Sequence, residues 1–496
     1  DLESDKSNYT IKSKATGEIK EIKVVEGQTV KNGDILAIVE GQVDKESSER
    51  KEERNKDKNF SYMDGLLKPK KEELESDITI IGGGPGGYVA AIQAAKSGAN
   101  VVLVEKDKVG GTCLNRGCIP TKALVSSAKV YKNMKQAEDY GCQADNVSVN
   151  MDKVIVRKDN IVEQLVQGVE YLFSKHNIKL VRGKGELKDN NTVYVKEGRT
   201  ETYINSDNII IATGSKPTQL PISGLDLPEV INSSEALNLT ELPEELLIIG
   251  GGVIGMEFAF IYNNFGVDVT VVEYLDGVLA NCDNDISKEI NQIAAERGIK
   301  LFTGVEVEEI IKSENNKCIV TFGTSNEKKY VTTDKVLVAV GRTPQFDGLG
   351  LDKIGIELNE DGRGIKVNDK MQTNIPNIYA IGDVTNKIQL AHVASHQGLV
   401  AVENALDNVK TMRYDVVPSV IFTDPEIAMV GITEDVADEQ GLDIKVSKFP
   451  FSANGKALTM GVNEGFIKLI SDQKSKKVIG CSIIGSRATD LITELA

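Results

Sequence analysis

The sequence is poor in histidine and cysteine, which limits the metal and redox chemistry that the chain can support. It has three histidines, His176, His392 and His396, and no paired Cys-x2-Cys sets, so a structural zinc site has too few ligands to build on. Six cysteines in 496 residues do not make the disulfide scaffold of a small secreted protein. We therefore expect no bound metal, and we expect a close pair of cysteines to be reactive.

The sequence also lacks a basic excess and a long apolar run. Asp and Glu outnumber Lys and Arg by 74 to 58, and the formal net charge of −16 argues against nucleic acid or an anionic membrane as the partner. No stretch approaches the roughly 18 consecutive apolar residues needed to span a bilayer, and no charged-then-apolar leader precedes the first strand pattern. We predict a cytoplasmic protein of about three to four domains.

Two regions of different composition precede the main body of the chain. Residues 1–41 contain short alternating strands with glycine turns, which predicts a piece of a small β module. Residues 42–75 form a charged run with almost nothing to bury, which is typical of an extended, solvated linker. From Asp77 to about residue 345, apolar strands alternate with amphipathic helices, which favours a mainly parallel α/β sheet.

The α/β region contains an internal repeat at an offset of 168 residues. Each copy has a strand, a Gly-x-Gly-x-x-Gly turn, a helix and a second strand that ends in a glutamate, 18 residues after the third glycine. The turns and their acids are Gly82, Gly84, Gly87 and Glu105 in the first copy, and Gly250, Gly252, Gly255 and Glu273 in the second. Two such patterns with matched acids indicate two βαβ units that bind dinucleotides.

The residues of each turn have separate physical roles. The first glycine permits the tight turn, the second lets the backbone approach a pyrophosphate, and the third lets the helix pack close to the strand. The glutamate would accept a hydrogen bond from a ribose 2′-hydroxyl and repel a 2′-phosphate. Since no arginine closely follows Glu273, we expect the second unit to prefer NAD over NADP.

Cys113 and Cys118 lie shortly downstream of the first glycine turn. Two thiols five positions apart can close a small disulfide loop, and a thiolate near a helix start is stabilised by the helix dipole. The alternatives are a disulfide that only stabilises a loop, or two buried thiols that do not pair. The neighbouring dinucleotide-binding unit favours a redox function for the pair. The other four cysteines are interpreted as ordinary thiols: Cys142, Cys282, Cys318 and Cys481.

The two glycine turns and the cysteine pair together resemble those of the flavin-dependent pyridine nucleotide-disulfide oxidoreductases, over about residue 76 to the end. Further segments match this family in order: Ala212-Thr213-Gly214, Val340-Gly341-Arg342, Thr373 to Asp383, and Phe422 to Gly431. The resemblance implies an α/β fold with two Rossmann-like domains and an α+β interface domain, preceded by a partial all-β lipoyl domain. It also implies a homodimer.

The resemblance further implies domain limits and site residues. The FAD-binding domain would span 76–221 and 347–415, the NAD-binding domain 222–346, and an incomplete dimerisation domain 416–496. The FAD site would comprise Gly82, Gly84, Pro85, Gly87, Glu105, Gly111, Thr112, Lys122, Ala212, Thr213, Gly214, Arg342, Gly382, Asp383, Gln389, Leu390, Ala391 and His392. The NAD site would comprise Gly250, Gly252, Val253, Ile254, Gly255, Glu257, Glu273, Val340 and Gly341.

The catalytic residues implied by the resemblance are Cys113, Cys118, Lys122 and Glu257. Cys113 would face the substrate and Cys118 the flavin. Lys122 would lie near the flavin N5 region, and Glu257 would pair with Lys122 or contact the nicotinamide. These roles belong to a thiol-disulfide exchange coupled to electron transfer through a flavin.

The residues between the cysteines resemble those of family members that oxidise dihydrolipoamide, whereas glutathione and mercuric reductases usually have valine in place of Arg116. The implied reaction oxidises protein-bound dihydrolipoamide to lipoamide, with NAD+ reduced to NADH and FAD relaying the electrons. The implied partner is a lipoyl-bearing carrier or acyltransferase subunit of a 2-oxoacid dehydrogenase or glycine-cleavage complex. The alternatives are another FAD-dependent disulfide reductase, a lipoyl carrier, and an inactive truncated fragment.

The last two predictions concern the two ends of the given sequence. Residues 1–41 are similar to the second half of a lipoyl domain, in which the lysine of an Asp-Lys turn carries lipoic acid, so Lys6 is the candidate attachment residue. The flanking methionines usual at a biotin site are absent. The family also has a histidine followed by proline as acid/base for the dithiol, and no histidine here is followed by proline. We expect the chain as given to lack that terminal segment and to need it for full activity.

Overall fold

The computed structural model describes residues 2–4, 7–9, 18–24, 37–40, 69–324 and 327–496. They belong to two units, Asp1–Lys68 and Pro69–Ala496. In the first unit, β1 (Leu2–Ser4) pairs antiparallel with β2 (Ser7–Tyr9), and β3 (Glu18–Ile22) pairs antiparallel with β4 (Ala37–Glu40). Lys6, residue 41 and residues 42–68 of the predicted linker lie outside the described residues.

The larger unit contains a seven-stranded sheet. Its strands are β5 (Lys70–Ile81), β6 (Val101–Glu105), β7 (Lys179–Arg182), β8 (Lys184–Leu187), β9 (Thr192–Glu197), β10 (Thr200–Ile211) and β21 (Ile378–Ala380). The order is β7-β6-β5-β10-β9-β8, and β21 also pairs with β10. The central strands are parallel and β8 and β9 are antiparallel, so the predicted mainly parallel sheet is confirmed.

A five-stranded parallel sheet carries the second copy of the repeat. Its strands are β12 (Val230–Asn232), β13 (Glu245–Ile249), β14 (Asp268–Val272), β15 (Lys300–Phe302) and β19 (Lys335–Val338), in the order β12-β19-β13-β14-β15. Between β15 and β19 in the sequence, three further strands form an antiparallel sheet: β16 (Glu306–Lys312), β17 (Cys318–Gly323) and β18 (Lys328–Thr333). A short ribbon pairs β11 (Ser215–Pro217) with β20 (Arg342–Pro344).

The carboxyl-terminal part of the chain forms an antiparallel sheet. Its strands are β22 (Ser419–Ile421), β23 (Glu426–Gly431), β24 (Ile444–Pro450), β25 (Phe466–Asp472) and β26 (Val478–Gly485). They lie in the order β22-β23-β26-β25-β24. This sheet is the α+β region that the resemblance implied after the second Rossmann-like unit.

The helices connect and cover these sheets. They are α1 (Pro85–Lys96), α2 (Gly111–Arg116), α3 (Cys118–Lys135), α4 (Met151–Lys175), α5 (Ser233–Ala236), α6 (Val253–Asn264), α7 (Asn284–Glu296), α8 (Leu351–Ile354), α9 (Ala391–Ala405), α10 (Glu434–Glu439), α11 (Gly455–Thr459) and α12 (Ala488–Leu491). Strand β6 is buried along its whole length, as expected for a parallel strand covered on both faces. Among the described residues, no helix has the length and apolar character that a membrane crossing requires.

Strand β5 begins earlier than the sequence predicts. The last six residues of the predicted linker, 70–75, are paired with residues 200–205 of β10. Charged side chains dominate this stretch and most of them are exposed, while the backbone groups are satisfied by β10. The linker prediction was therefore wrong for these residues. They are held in the sheet by backbone bonds while their charged side chains stay exposed, so this part of the strand has no apolar pattern in the sequence.

The two glycine turns have nearly the same geometry. Gly82 and Gly250 have φ values of +111° and +106°, in a region that side chains disfavour. A Cβ atom on Gly87 would lie 1.8 Å from the Gly82 carbonyl oxygen, and one on Gly255 would lie 1.9 Å from that of Gly250. In both copies the helix therefore approaches the turn too closely for a side chain, as predicted for the third glycine.

This geometry predicts different effects for two neighbouring substitutions. Gly255→Ala should destabilise the protein by about 1–3 kcal/mol through overpacking. Gly252→Ala is the matched control, because its added Cβ would meet no atom within 4 Å. Since the chain has no tryptophan, thermal unfolding is followed by far-ultraviolet circular dichroism. We expect a lower midpoint for Gly255→Ala alone, and equal midpoints for both variants would contradict the close approach.

Candidate functional site

A cavity of about 870 Å³ lies at the carboxyl edge of the seven-stranded sheet. Its lining contains every predicted FAD residue except Gly87, and it also contains Cys113, Cys118 and Glu257. Gly87 instead packs against the turn, as described above. Ligands of open α/β sheets bind at the carboxyl ends of the strands, so the cavity has the position expected for a nucleotide site.

The predicted NAD residues are only partly included in this cavity. Val253, Ile254 and Glu257, all on the first turns of α6, contribute to its lining. The other predicted NAD residues do not line it: Gly250, Gly252, Gly255, Glu273, Val340 and Gly341. Five of these residues follow strands of the five-stranded sheet, and Gly255 lies within α6. From the region 222–341, the cavity is lined by the start of α6 and by residues of and beside α5.

Several residues of the lining were missed by the sequence analysis. They include Asp107, Gly183, Lys184 and Asp347. Gly183 directly follows β7, so the rule that ligands bind at the carboxyl ends of parallel strands would have found it once the sheet order was known. The other three have no local motif, because their place in the lining results from tertiary folding.

Cys113 and Cys118 form a disulfide, which confirms the predicted pairing. Their Cα atoms are 4.7 Å apart, and the bridge joins α2 to the first residue of α3, an 18-residue helix. Both residues are half-buried beside the cavity. On reduction, a thiolate at Cys118 would be stabilised by the unpaired N–H groups and the dipole at the start of α3. The described free cysteines are Cys142, Cys282, Cys318 and Cys481.

The glutamates of the two copies make equivalent hydrogen bonds. Glu105 accepts bonds from the N–H groups of Gly83 at 2.7 Å and Asp107 at 2.8 Å. Glu273 accepts bonds from the N–H groups of Gly251 at 2.5 Å and Leu275 at 2.7 Å. Each carboxylate oxygen has a second lone pair, so this arrangement fixes the turn and leaves acceptor capacity for a ribose hydroxyl.

The starts of α1 and α6 are suited to holding an anion. The first N–H groups of a helix have no intrahelical partner, and neither α1 nor α6 has a side-chain cap that accepts from them. A Cβ atom on Gly84 would approach no atom closer than 3.9 Å, and one on Gly252 would meet nothing within 4 Å. The space beside both helix starts is open, as a bound pyrophosphate requires.

Four polar side chains of the cavity lining are connected by hydrogen bonds. Ser215 donates a hydrogen bond to Asp383 at 2.5 Å, and Arg342 donates through Nε to the Ser215 hydroxyl at 2.7 Å. Arg342 also reaches Thr112, next to the disulfide, at 3.4 Å. Burial lowers the pKa of Arg342, although the charge of Asp383 acts in the opposite direction. Ser215 was not singled out from the sequence, and it joins two predicted flavin residues.

Lys122 and Glu257 both face the cavity, but no ion pair within 4.0 Å joins them in the described part of the chain. Glu257 Oε1 accepts a hydrogen bond from the N–H group of Phe422 at 2.8 Å. The Lys122 ammonium instead lies 4.3 Å from the centre of the Phe422 ring. Burial raises the pKa of Glu257 to about 7, while the Phe422 N–H group and the Lys122 charge oppose this rise.

A second cluster of charged groups lies away from this cavity. The carboxylates of Asp283, Asp285 and Glu434 are close enough to one another to bind a cation. The ammonium of Lys468 already lies among them, 2.8 Å from Asp283 and 3.1 Å from Asp285. Lys468 and Asp283 are almost completely buried, so the lysine supplies the positive charge that this cluster needs.

Comparison with known families agrees with this geometry. Residues 76–398 match the model of the pyridine nucleotide-disulphide oxidoreductases, and residues 417–496 match the dimerisation domain of the same family. Residues 1–39 match a biotin/lipoyl model described as biotin-requiring enzyme. A dihydrolipoyl dehydrogenase of Bacillus subtilis is 41% identical over 431 residues, covering 85% of this chain and 90% of the relative. One from Chlamydia pneumoniae is 42% identical over 422 residues, with coverage of 85% and 90%.

Solved structures show the same architecture. The Cu(II) complex of the HOCl-induced flavoprotein disulfide reductase RclA from Escherichia coli has a TM-score of 0.75 and 31% identity, covering 85% of this chain and 92% of that one. LpdA from Mycobacterium tuberculosis has a TM-score of 0.79 and 28% identity, with coverage of 85% and 92%. With its disulfide beside the first glycine turn and its matches along most of the sequence, the chain belongs to the pyridine nucleotide-disulphide oxidoreductase family.

Proposed function

We propose that the protein oxidises protein-bound dihydrolipoamide to lipoamide and reduces NAD+ to NADH, with FAD as the bound redox group. The observation that carries this proposal is the Cys113–Cys118 disulfide in the lining of the cavity that also holds the first glycine turn. Relatives of about 40% identity named dihydrolipoyl dehydrogenase support the choice of substrate over that of other disulfide reductases.

The first step is a thiol-disulfide exchange. A substrate thiolate attacks Sγ of Cys113, the bond between Cys113 and Cys118 breaks, and Cys118 leaves as a thiolate. The second substrate thiolate then attacks the substrate sulfur of the mixed disulfide, which closes the lipoamide ring and frees Cys113. The substrate loses two electrons and the protein disulfide gains them. The position of Cys118 at the start of α3 supports its role as the leaving thiolate.

The cavity residues are proposed to hold FAD along the edge of the sheet. The start of α1 and Gly84 would receive the pyrophosphate, Glu105 the adenosine ribose, and Asp383 the ribityl chain. FAD, when bound, supplies the relay of an electron pair between the thiols and the nicotinamide. Ser215 and Arg342 hold Asp383 in place, while Lys122 and Glu257 border the region nearest the disulfide.

The second glycine turn is proposed to bind NAD. Its open space at Gly252 and the uncapped start of α6 support a pyrophosphate site, and Glu273 supports recognition of a free ribose 2′-hydroxyl. The proposed NAD-binding domain spans 222–346, between the FAD-binding segments 76–221 and 347–415. Val253, Ile254 and Glu257 extend from this domain into the disulfide cavity, which suits delivery of a nicotinamide to that cavity.

We further propose a homodimer that exchanges reducing equivalents with lipoyl groups on a carrier or acyltransferase subunit of a 2-oxoacid dehydrogenase or glycine-cleavage complex. The match of residues 417–496 to a dimerisation domain supports the homodimer. The match of residues 1–39 to the biotin/lipoyl model supports a lipoyl group on Lys6. A lipoyl group attached to the same chain would keep a substrate at high local concentration.

The disulfide and the flavin can be counted by reductive titration. Under anaerobic conditions the purified protein should take up two electron pairs per flavin, one for FAD and one for the disulfide, whereas Cys113→Ser and Cys118→Ser should each take up one. Dihydrolipoamide should reduce the wild type and NAD+ should reoxidise it. Reduction by dihydrolipoamide should be lost in the two variants, whereas NAD+ should still reoxidise their flavin after chemical reduction. Cys142→Ser, at an exposed free thiol, is the control and should behave like the wild type. Protein purified without flavin, or variants that take up as much as the wild type, would contradict the proposal.

The choice of nicotinamide cofactor depends on the charge at residue 273. Glu273→Gln removes the charge that repels a 2′-phosphate; its single amide oxygen can still accept the Gly251 N–H bond, while the bond from Leu275 is lost. Losing about 1.4 kcal/mol of repulsion should raise the ratio of kcat/KM for NADP+ to that for NAD+ about tenfold. Glu296→Gln, at the exposed end of α7, is the control and should leave the ratio unchanged. An unchanged ratio in Glu273→Gln would place cofactor selection elsewhere.

The modification of Lys6 has a separate test. Protein produced in a lipoylating host should gain the mass of one lipoyl group, and peptide mass spectrometry should place it on Lys6. Lys6→Arg keeps the charge and should abolish the gain, whereas Lys23→Arg should not, because Lys23 lies outside the Asp-Lys turn. A gain on another lysine, or none in a host that lipoylates its own carriers, would refute the assignment.

A further inference from the structure

A buried lysine of the carboxyl-terminal sheet contacts the segment that follows the second glycine turn. Lys468 lies on β25. Its ammonium is 2.8 Å from the Asp283 carboxylate and 3.1 Å from that of Asp285, and it also pairs with the carboxylate of Glu434. Glu434 is the first residue of α10, whereas Asp283 and Asp285 stand at the start of α7. One side chain therefore joins the carboxyl-terminal sheet to a helix whose start lies 185 residues earlier in the sequence.

Asp283 depends on this lysine to compensate its charge. Only 1% of Asp283 is exposed, so solvent cannot stabilise the carboxylate. Its Oδ1 atom accepts a hydrogen bond from the Asp285 N–H group at 2.9 Å, as the cap of α7. Its Oδ2 atom is buried and has no hydrogen-bond partner in the part of the chain that the structure describes. Because a buried carboxylate is very unfavourable without a cation, Lys468 fixes the position of Asp283.

The residues just before Asp283 are bonded to the second glycine turn. The Leu279 N–H group donates to the Gly251 carbonyl oxygen at 2.9 Å. The Ser287 hydroxyl of α7 donates to the Leu279 carbonyl oxygen at 3.1 Å. The packing is also close, because a Cβ atom on Gly251 would lie 2.7 Å from the side chain of Val278. The start of α7 and the glycine turn therefore hold each other in position.

We propose that Lys468 is a positioning residue for NAD binding. It holds Asp283 at the start of α7, and through Leu279 it holds the Gly251 peptide of the second glycine turn. Gly251 in turn donates to Glu273 at 2.5 Å, the residue proposed to recognise the ribose. Lys468 does not line the disulfide cavity and takes no part in the electron transfer. This role rests on the proposed function, because it concerns the NAD site assigned there.

Binding of ADP-ribose, measured by isothermal titration calorimetry, tests this role without turnover. ADP-ribose is the part of NAD that would lie on the glycine turn and at Glu273. In Lys468→Met the turn loses its support, and we expect the Kd to rise about fivefold. Lys448→Met is the matched control, because Lys448 lies 3.5 Å from Asp285 and its side chain is 43% exposed. This control should keep the wild-type Kd.

A double variant separates positioning from stability. Lys468→Met leaves the Asp283 charge buried and unpaired, which should lower the thermal midpoint. Adding Asp283→Asn removes that charge and keeps an oxygen for the Asp285 N–H bond, so the midpoint should recover in part. The Kd for ADP-ribose should stay raised, because the ion pair is still absent. A wild-type Kd in the double variant would overturn the proposal.

Steady-state kinetics of the double variant should show the same selectivity. We expect the KM for NAD+ to rise about fivefold, as the Kd does. The rate of flavin reduction by dihydrolipoamide should stay at its wild-type value, because Lys468 lies outside the cavity that contains the disulfide. Equal losses in both half-reactions would indicate general damage to the protein and would contradict a role at the NAD site.

Hydrogen exchange followed by mass spectrometry tests the connection from Lys468 to the turn. The Leu279 N–H group should exchange faster in Lys468→Met and in the double variant. The Gly110 N–H group, which makes the equivalent bond to Gly83 in the first copy, is the internal control and should exchange as in the wild type. Unchanged exchange at Leu279, or equally faster exchange at both groups, would overturn the proposal. If the wild type does not bind ADP-ribose, the NAD site of the proposed function fails instead, and exchange at Leu279 still tests the connection.

Discussion

The close approach of helix to strand at the first glycine turn is the constraint on which the site depends. A side chain at Gly87 would lie 1.8 Å from the Gly82 carbonyl oxygen, so only glycine lets α1 begin where it does. With α1 in this place, Gly83 is free to donate to Glu105 at 2.7 Å and to accept from Gly110 at 2.7 Å. The second of these bonds holds the chain three residues before Cys113. One turn therefore fixes both the nucleotide cradle and the start of the disulfide segment.

The second copy of the repeat uses the same bonds with a different continuation. Gly251 accepts a hydrogen bond from Leu279 at 2.9 Å, as Gly83 does from Gly110, and Leu279 has a φ of +51° where the first copy has glycine. After Gly110 the chain enters α2 and the disulfide, whereas after Leu279 it continues to the amphipathic helix α7. The two turns thus differ in the segment that follows them: the first is followed by the Cys113–Cys118 disulfide, and the second by the single buried thiol of Cys282.

Local patterns in the sequence were sufficient where the chemistry is local. The glycine turns, the glutamates that end β6 or follow β14, and the Cys113–Cys118 pair each depend on spacing within one short segment. The start of β5 at Lys70 was not predictable, because its charged residues join a sheet through backbone bonds to β10, more than a hundred residues away. Phe422 lay within a recognised segment, but its contacts with Lys122 and Glu257 arise only when three distant parts of the chain meet.

The electrostatics of the cavity explain how an acidic chain can hold an anionic dinucleotide. The net charge of −16 is spread over the whole sequence, and charges separated by more than about 8–10 Å are largely screened at physiological ionic strength. The N–H groups at the start of α1 and the cations of Lys122 and Arg342 border the cavity itself, and the Arg342 charge is partly shielded from solvent by burial. The nearest carboxylates are already engaged, with Glu105 on backbone N–H groups and Asp383 on Ser215. Local donors rather than total charge therefore determine what this cavity binds.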